Sequence, residues 1–231
     1  MKKTDEKIFQ ARKLVAKVGA LMLRRNLTDL AGGNISMRIG KKVLMSPTLA
    51  GTYKFWNIKP EEVLVLDLEG KKLDGYGDIS RESTTHLLLL NKFYPHGRAI
   101  IHSHARNILV FCSTHTPIPP VLESTIKFGT IKIVEYGDGG VQSKQLANNI
   151  YAGLKGQEDL IKDYATAVLA PWHGIFAIGK DLNTVLDTID RIEANAYCIL
   201  MGRSLLSNQN QLGNLNIEML DTVHASGGGK E

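Results

Sequence analysis

Short apolar segments of strand length alternate with longer segments of helical periodicity along most of the 231 residues. This alternation restricts the chain to a layered α/β fold. Glycine, proline and asparagine punctuate the segments and set their ends. The predicted helices cover residues 5–27, 80–93, 105–112, 142–154 and 181–205, the last with Asp181 as its N-cap. The predicted strands cover residues 35–39, 43–45, 63–68, 98–104, 131–134, 167–169 and 175–178.

The order of these elements predicts one α/β domain over residues 1–206, with a sheet that is largely antiparallel or mixed. Hairpins connect the early strands, and the sequence contains no internal repeat and no linker long enough to divide it. The remaining residues, 207–231, combine an Asn/Gln-rich run with a Ser-Gly-Gly-Gly stretch. We therefore expect a flexible C-terminal tail.

The composition indicates a cytoplasmic protein with a small-molecule partner. No apolar run approaches the roughly 20 residues of a membrane span, and no apolar signal segment follows the N-terminus. The two cysteines, Cys112 and Cys198, are too few for a disulfide framework. The net charge is +5, with basic residues spread in ones and twos. This spread favours an anionic metabolite, or a merely solvated surface, over a nucleic acid or a membrane.

Two histidines stand one residue apart at the end of an apolar predicted strand, in the sequence His102-Ser103-His104. Alternate residues of a strand point to the same face, so both imidazoles can bind one ion. His173, in a turn between two predicted strands, is the best placed third ligand. Three histidines with an open fourth position are typical of a catalytic zinc, whereas ordinary core or surface histidines are the alternative. We interpret the other four as structural or exposed: His86, His96, His115 and His224.

The segment from Asp78 to His86 crowds hydroxyl groups and one arginine at a predicted helix N-terminus. Free backbone N–H groups and the positive end of the helix dipole attract an anion at such a place, although simple N-capping explains the same residues. Glu82 is a candidate catalytic base. The helix dipole alone also favours an acidic residue in the first turn, so both interpretations stay open.

A second candidate anion site combines Gly32-Gly33-Asn34, which follows the first predicted helix, with Ser46-Pro47-Thr48. Glycines let backbone amides approach a ligand closely, and small hydroxyls add further donors, which suits a phosphate group. An ordinary turn accounts for the Gly-Gly-Asn sequence equally well.

The order and spacing of these motifs resemble those of the class II aldolase/adducin family, from about residue 14 to residue 205. The family pattern runs Gly-Asn, Ser-Pro-Thr, Ser-x-Glu-x-x-x-His, His-x-His and His-Gly. The matching positions in this chain are Gly33-Asn34, Ser46-Pro47-Thr48, Ser80-Arg81-Glu82 to His86, His102-Ser103-His104 and His173-Gly174. The resemblance implies a three-layer α/β/α sandwich and a C4-like homotetramer with active sites at subunit interfaces.

The resemblance also implies a zinc-dependent aldolase. Such an enzyme would cleave a ketose 1-phosphate, for example L-fuculose 1-phosphate, into dihydroxyacetone phosphate and an aldehyde through a zinc-stabilised enediolate. Zn²⁺ would bind His102, His104 and His173, and Glu82 would transfer the proton next to the ketone. The phosphorylated substrate would contact the other matched positions: Gly33, Asn34, Thr48, Ser80 and Arg81.

Three departures from the family pattern bear on the substrate. Leu49 and Ala50 separate Thr48 from the next glycine, and Arg81 replaces a second serine. Glu123 stands where the family's fucose-type aldolases carry a tyrosine that protonates the aldehyde oxygen. Since an arginine suits an acidic substrate, a decarboxylase of a 3-oxo sugar-acid phosphate is the first alternative. A ribulose-phosphate 4-epimerase, which usually carries aspartate instead of glutamate, and an adducin-like interaction module without the zinc histidines are the others.

Overall fold

The computed structural model describes residues 3–203, 205–206 and 209–225. The helices are α1 (Lys3–Arg24), α2 (Ala50–Lys54), α3 (Ser83–Lys92), α4 (Arg106–Ser113), α5 (Lys144–Leu154), α6 (Glu158–Asp163), α7 (Leu182–Gly202) and α8 (Gln209–Ala225). The strands are β1 (Asn34–Ile39), β2 (Lys42–Met45), β3 (Leu64–Leu66), β4 (Lys72–Asp74), β5 (Ala99–Ser103), β6 (Ala165–Ala170) and β7 (Gly174–Gly179). Short 3₁₀ helices cover Pro60–Glu62 and Glu123–Phe128.

The seven strands form one sheet in the order β4-β3-β2-β1-β5-β7-β6, and every neighbouring pair is antiparallel. The register between β1 and β5 pairs Asn34 with His102. The register between β5 and β7 pairs Ser103 with Ile175. His102, and His104 just after it, therefore lie beside the start of β1 and the turn before β7.

Helices cover both faces of this sheet and give the predicted three-layer α/β/α arrangement. Helices α1, α4 and α7 pack on one face, and α3 and α5 pack on the other. Along β7, Ile175 and Ala177 belong to the first apolar cluster, whereas Phe176 and Ile178 belong to the second. Because both faces are buried, most residues of β5, β6 and β7 are apolar. Each fully buried large apolar side chain contributes roughly 1.5–3 kcal/mol to folding.

The long helices lie where the sequence predicts them, with ends that differ by up to three residues. Asp181 caps α7, since its Oδ1 accepts a hydrogen bond of 2.9 Å from the backbone N–H of Thr184. Helix α1 ends at Arg24, three residues before the predicted end. Across the described parts of the chain, no helix combines the length and the apolar character that a membrane span requires.

The structure lacks the regular strand predicted over residues 131–134, and it contains α2, α6 and β4, which lie outside the prediction. Residues 131–134, predicted as a strand, form only two isolated bridges, one from Ile131 to Ile118 and one from Ile133 to Leu169. The predicted tail contains α8, whose Asn216 donates a hydrogen bond to the carbonyl of Pro120. Residues 207–208 and 226–231 lie outside the described residues. The flexibility of the tail and the boundary at residue 206 stay predictions.

Candidate active site

Three histidines converge at one end of the sheet. His102 follows the three apolar residues of β5, His104 lies just after the end of β5, and His173 lies in the turn between β6 and β7. One nitrogen of each ring lies within 4.8 Å of those of the other two, an arrangement that could hold a metal ion. The His102 Nε2 and His104 Nε2 atoms are 3.1 Å apart. The three predicted ligands are therefore together, although the chain separates His173 from the others by about 70 residues.

The environment of His102 leaves the lone pair of its Nε2 atom available as a metal ligand. Its Nδ1 atom lies 3.0 Å from the carbonyl oxygen of Ile175. A carbonyl can only accept, so Nδ1 carries the proton and Nε2 keeps its lone pair. Burial lowers the pKa of His102 well below 6.5, so that the ring is neutral. Burial also lowers the pKa of His104, and the neutral imidazole is the form that binds a zinc ion.

Glu82 lies beside this cluster as a carboxylate. Its Oε1 is 2.6 Å from His173 Nε2, and its Oε2 is 3.6 Å from His102 Nε2. Burial raises the pKa of Glu82, but the interactions with His102 and His173 outweigh burial and lower the pKa to about 2. The residue is only 7% exposed, yet its carboxylate is ionised at neutral pH and able to accept a proton.

Asn34 and Ser80 hold this carboxylate in place. The Asn34 amide donates to Glu82 Oε2 at 2.5 Å and to Ser80 Oγ at 3.2 Å, and Ser80 Oγ accepts from the Glu82 backbone N–H at 3.3 Å. The Oδ1 atom of Asn34 is buried and has no hydrogen-bond partner among the described residues. Because buried acceptors are rarely left unpaired, Asn34 Oδ1 is a candidate atom for contact with a ligand.

A cavity of about 280 Å³ opens in front of these side chains. Of the residues proposed from the sequence, all but His102 line it, and His102 is fully buried behind it. Arg81 is exposed at the rim and is the only Lys or Arg among the described lining residues. The lining positions that matched the family pattern are Gly33, Asn34, Thr48, Ser80, Arg81, Glu82, His104 and His173.

The glycine loop before β1 needs its glycines for close packing. Gly33 has φ +91, and a Cβ there would lie 2.6 Å from Thr28 Oγ1. A Cβ on Gly32 would lie 2.0 Å from Cε1 of His104. Side chains larger than hydrogen at these positions would displace the loop or the His104 ring.

Sequence reasoning missed two polar residues next to the histidine cluster, Asp29 and Tyr136. Asp29 has its carboxylate oxygens 3.3 and 3.4 Å from His104 Nδ1. Tyr136 lies with its ring centroid 6.4 Å from that of His173. Local sequence could indicate only that Asp29 starts a turn, because its contact with His104 spans 75 residues. No local sequence pattern identifies Tyr136 as a residue of the site.

His86 was interpreted as structural, and it is fully buried next to the site. Its Nδ1 lies 2.6 Å from Ser36 Oγ, and its Nε2 has no partner among the described residues. Burial lowers its pKa from 6.5 to about 4, although the charge of Glu82 opposes this shift. The ring is therefore neutral inside the folded protein at neutral pH.

We expect the metal-free protein to lose stability as the pH falls from 6.5 toward 4, in part through His86. In the unfolded chain this imidazole takes up a proton near pH 6.5, whereas in the folded protein it does so only near pH 4. Its contribution to the free energy of unfolding is therefore complete above pH 6.5, and about 3 kcal/mol is lost as the pH falls to 4. Urea unfolding of chelator-treated protein across this range checks the expectation. His86→Asn should flatten the pH dependence, whereas His96→Asn, at an exposed histidine, should not. Equal pH dependence in all three proteins would contradict it.

Comparison with known proteins supports the resemblance. A family model described as "Class II Aldolase and Adducin N-terminal domain" matches residues 13–200. The "5-deoxy-D-ribulose 1-phosphate aldolase" of Bacillus thuringiensis serovar kurstaki is 25% identical over 195 residues, 84% of this chain and 86% of the relative. The "L-fuculose phosphate aldolase" of Methanocaldococcus jannaschii is 27% identical over 173 residues, 74% of this chain and 85% of the relative.

Solved structures share the fold. An "L-fuculose 1-phosphate aldolase" superposes with a TM-score of 0.72 at 21% identity, covering 90% of this chain and 94% of that chain. A "sugar-phosphate aldolase" from Thermotoga maritima gives a TM-score of 0.66 at 23% identity, covering 89% of this chain and 98% of that chain. Both TM-scores show that the antiparallel α/β fold is shared. Because the family model spans most of the chain, from residue 13 to residue 200, the protein belongs to the class II aldolase and adducin family.

Proposed function

We propose that the protein is a zinc-dependent aldolase that cleaves a ketose 1-phosphate into dihydroxyacetone phosphate and an aldehyde. The observation that carries this proposal is the position of Glu82. Its ionised carboxylate lies 2.6 Å from His173 Nε2, at the edge of a three-histidine cluster and on the wall of the cavity. A base next to a Lewis-acid site is what proton transfer beside a ketone requires.

The proposed ligands of the zinc are His102, His104 and His173. When bound, the ion would supply a positive charge that stabilises the negative charge developing on the ketone oxygen of the substrate. Burial lowers the pKa values of His102 and His104, and their Nδ1 atoms are held by acceptors, so their Nε2 atoms are free to bind. We infer one zinc site in each chain.

The proposed role of Glu82 follows from its surroundings. In the cleavage direction the bond between the third and fourth carbons breaks, the 4-hydroxyl loses its proton, and the third carbon gains one. The ionised carboxylate of Glu82 takes up the proton of the 4-hydroxyl and delivers it to the third carbon. In the reverse direction it removes the proton from the third carbon and returns it to the aldehyde oxygen. The hydrogen bond from Asn34 keeps the carboxylate oriented toward the cavity. Burial of Glu82 excludes bulk water from this proton transfer.

The phosphate group of the substrate is proposed to lie between the glycine loop and the start of α3. Gly33, Thr48 and Ser80 line this part of the cavity, and Arg81 provides its positive charge. Asn34 has a second proposed role here, because its unpaired Oδ1 can accept from a substrate hydroxyl. Hydrogen bonds from charged groups to phosphate are among the stronger polar contacts in proteins.

We expect Arg81→Gln to raise KM for the phosphorylated substrate more than it lowers kcat. A lost charge-assisted hydrogen bond of about 1.5–3 kcal/mol corresponds to roughly a 10- to 100-fold increase. Steady-state kinetics of the variant check this. Lys54→Gln, at a cation that does not line this cavity, is the control and should leave KM unchanged. Equal KM values for Arg81→Gln and the unchanged protein would show that Arg81 does not bind the phosphate group.

A second candidate function is the decarboxylation of a 3-oxo sugar-acid phosphate. The observation that favours it is the exposed guanidinium of Arg81 at the rim of the cavity, which suits a carboxylate as well as a phosphate. Under this alternative the Arg81→Gln variant would lose activity on acidic substrates alone. The same zinc site and the same base serve both reactions.

Product analysis separates the two functions. The zinc-loaded protein is incubated with a panel of ketose 1-phosphates, including L-fuculose 1-phosphate and 5-deoxyribulose 1-phosphate, and with 3-oxo sugar-acid phosphates. Release of dihydroxyacetone phosphate from the first group supports the aldolase. Carbon dioxide from the second group alone would replace it with the decarboxylase.

The expected assembly and location also belong to this proposal. We propose a homotetramer that acts in the cytoplasm, as the resemblance and the composition imply. Sedimentation equilibrium tests the assembly, and a monomeric protein with full activity would contradict active sites formed between subunits.

A further inference from the structure

The segment that connects α1 to β1 contacts the His104 ring in two ways. The carboxylate oxygens of Asp29 lie 3.3 and 3.4 Å from His104 Nδ1. Gly32 packs so closely against the same ring that a Cβ at that position would lie 2.0–2.6 Å from three of its atoms. A hydrogen bond and direct packing from one short segment therefore fix where this ring lies.

Hydrogen bonds to neighbouring backbone groups and to the buried Trp56 fix the position of Asp29. Its Oδ1 accepts from the backbone N–H groups of Ala31 at 3.0 Å and Gly32 at 2.9 Å. Its carbonyl oxygen accepts from the indole N–H of Trp56 at 3.1 Å, and Trp56 is fully buried. These bonds leave Asp29 little freedom to move away from His104.

His104 needs such a partner more than His102 does. The ring of His102 is fully buried and donates to the Ile175 carbonyl at 3.0 Å. The side chain of His104 is 15% exposed and faces the cavity, so packing alone restrains it less. A carboxylate that accepts from Nδ1–H selects the tautomer whose Nε2 lone pair is free, and it fixes the ring plane.

We propose that Asp29 is a positioning residue that holds His104 with its Nε2 atom directed toward the metal. This inference rests on the proposed zinc site. Asp29 touches neither the substrate nor the metal, and it acts through His104. Outer carboxylates of this kind typically change metal affinity by about 10- to 100-fold when they are replaced.

The test is the zinc affinity of the Asp29→Asn variant, measured on metal-free protein by competition with a chromophoric chelator. Asparagine keeps an oxygen that accepts from the Ala31 and Gly32 N–H groups, so the turn is retained. Its amide group cannot accept from His104 Nδ1–H, and it favours the tautomer whose Nε2 is protonated. We expect zinc affinity to fall by about 10- to 100-fold, with an unchanged melting temperature of the metal-free protein.

Asp67→Asn is the matched control. Asp67 Oδ1 also accepts from two backbone N–H groups, those of Glu69 and Lys71, but it lies in a turn after β3 away from the histidines. This variant should bind zinc as the unchanged protein does. Gly32→Ala displaces the His104 ring by packing instead of by its hydrogen bond, and it should also weaken zinc binding.

The outcomes separate the inference from the function on which it rests. Zinc binding by the unchanged protein, with unchanged affinity in Asp29→Asn and Gly32→Ala, overturns the role of Asp29 and leaves the proposed aldolase intact. No zinc binding by the unchanged protein overturns both. Equal losses of zinc affinity in Asp29→Asn and Asp67→Asn would also overturn the inference, because the effect would then not depend on His104.

Discussion

Replacing Glu82 by glutamine is expected to lower kcat by about 10²- to 10⁴-fold, the usual contribution of a positioned acid or base. Glutamine keeps the size of the side chain and can still pair with Asn34, but it cannot accept a proton at neutral pH. Zinc content and KM should change little, because the three histidines and the cavity remain. Steady-state kinetics and metal analysis of the purified variant measure these quantities.

The control for this variant is Glu193→Gln, at another largely buried carboxylate. Glu193 accepts from the backbone N–H groups of Asn107 and Ile108 and does not line the cavity. Its replacement should lower the melting temperature and leave kcat close to that of the unchanged protein. Full turnover by Glu82→Gln would show that this residue is not the base.

Replacing His102 by alanine is expected to remove both zinc and activity. His102 is fully buried, and its ring stacks on Phe176 at 4.2 Å and on His173 at 4.5 Å between centroids. With one of three ligands gone, the remaining two imidazoles do not form a stable tetrahedral zinc site. Metal analysis after dialysis should find almost no zinc, and circular dichroism should find the helices and strands retained.

His86→Ala is the matched control for His102→Ala, because it also removes a fully buried imidazole close to Phe176. This variant should be less stable, since it leaves a cavity and an unpaired Ser36 hydroxyl. It should nevertheless bind zinc. Retention of zinc by His102→Ala, or its loss in His86→Ala to the same degree, would contradict the assignment of the ligands.

Much of the fold was predictable because the central strands are buried on both faces. Most positions of such strands are apolar, as in Ile175–Ile178, and they stand out between polar turns. Strand β4 has only exposed residues and therefore no apolar pattern. Residues 131–134 have the pattern of a strand, but they reach only the edge of the sheet and form single bridges there. Helix α8 lies in an Asn/Gln-rich segment whose composition suggested a tail.

The residue types of the site were predictable, whereas their mutual contacts were not. The His-x-His spacing on a strand and the acidic residue near the start of α3 are local signals. The hydrogen bond from Asn34 to Glu82 and the contact of Asp29 with His104 depend on the register of β1 beside β5. That register is a property of the whole sheet, so no local spacing could reveal that Asn34 donates a hydrogen bond to Glu82.

The measurement that tests the central claim most directly is the release of dihydroxyacetone phosphate before and after removal of the metal. The protein is treated with a chelator, dialysed, and titrated with zinc in the presence of the ketose 1-phosphate on which it is most active. The account predicts no release from the metal-free protein and full recovery at about one zinc per chain, as three histidine ligands in one site require. Undiminished release without metal would contradict it.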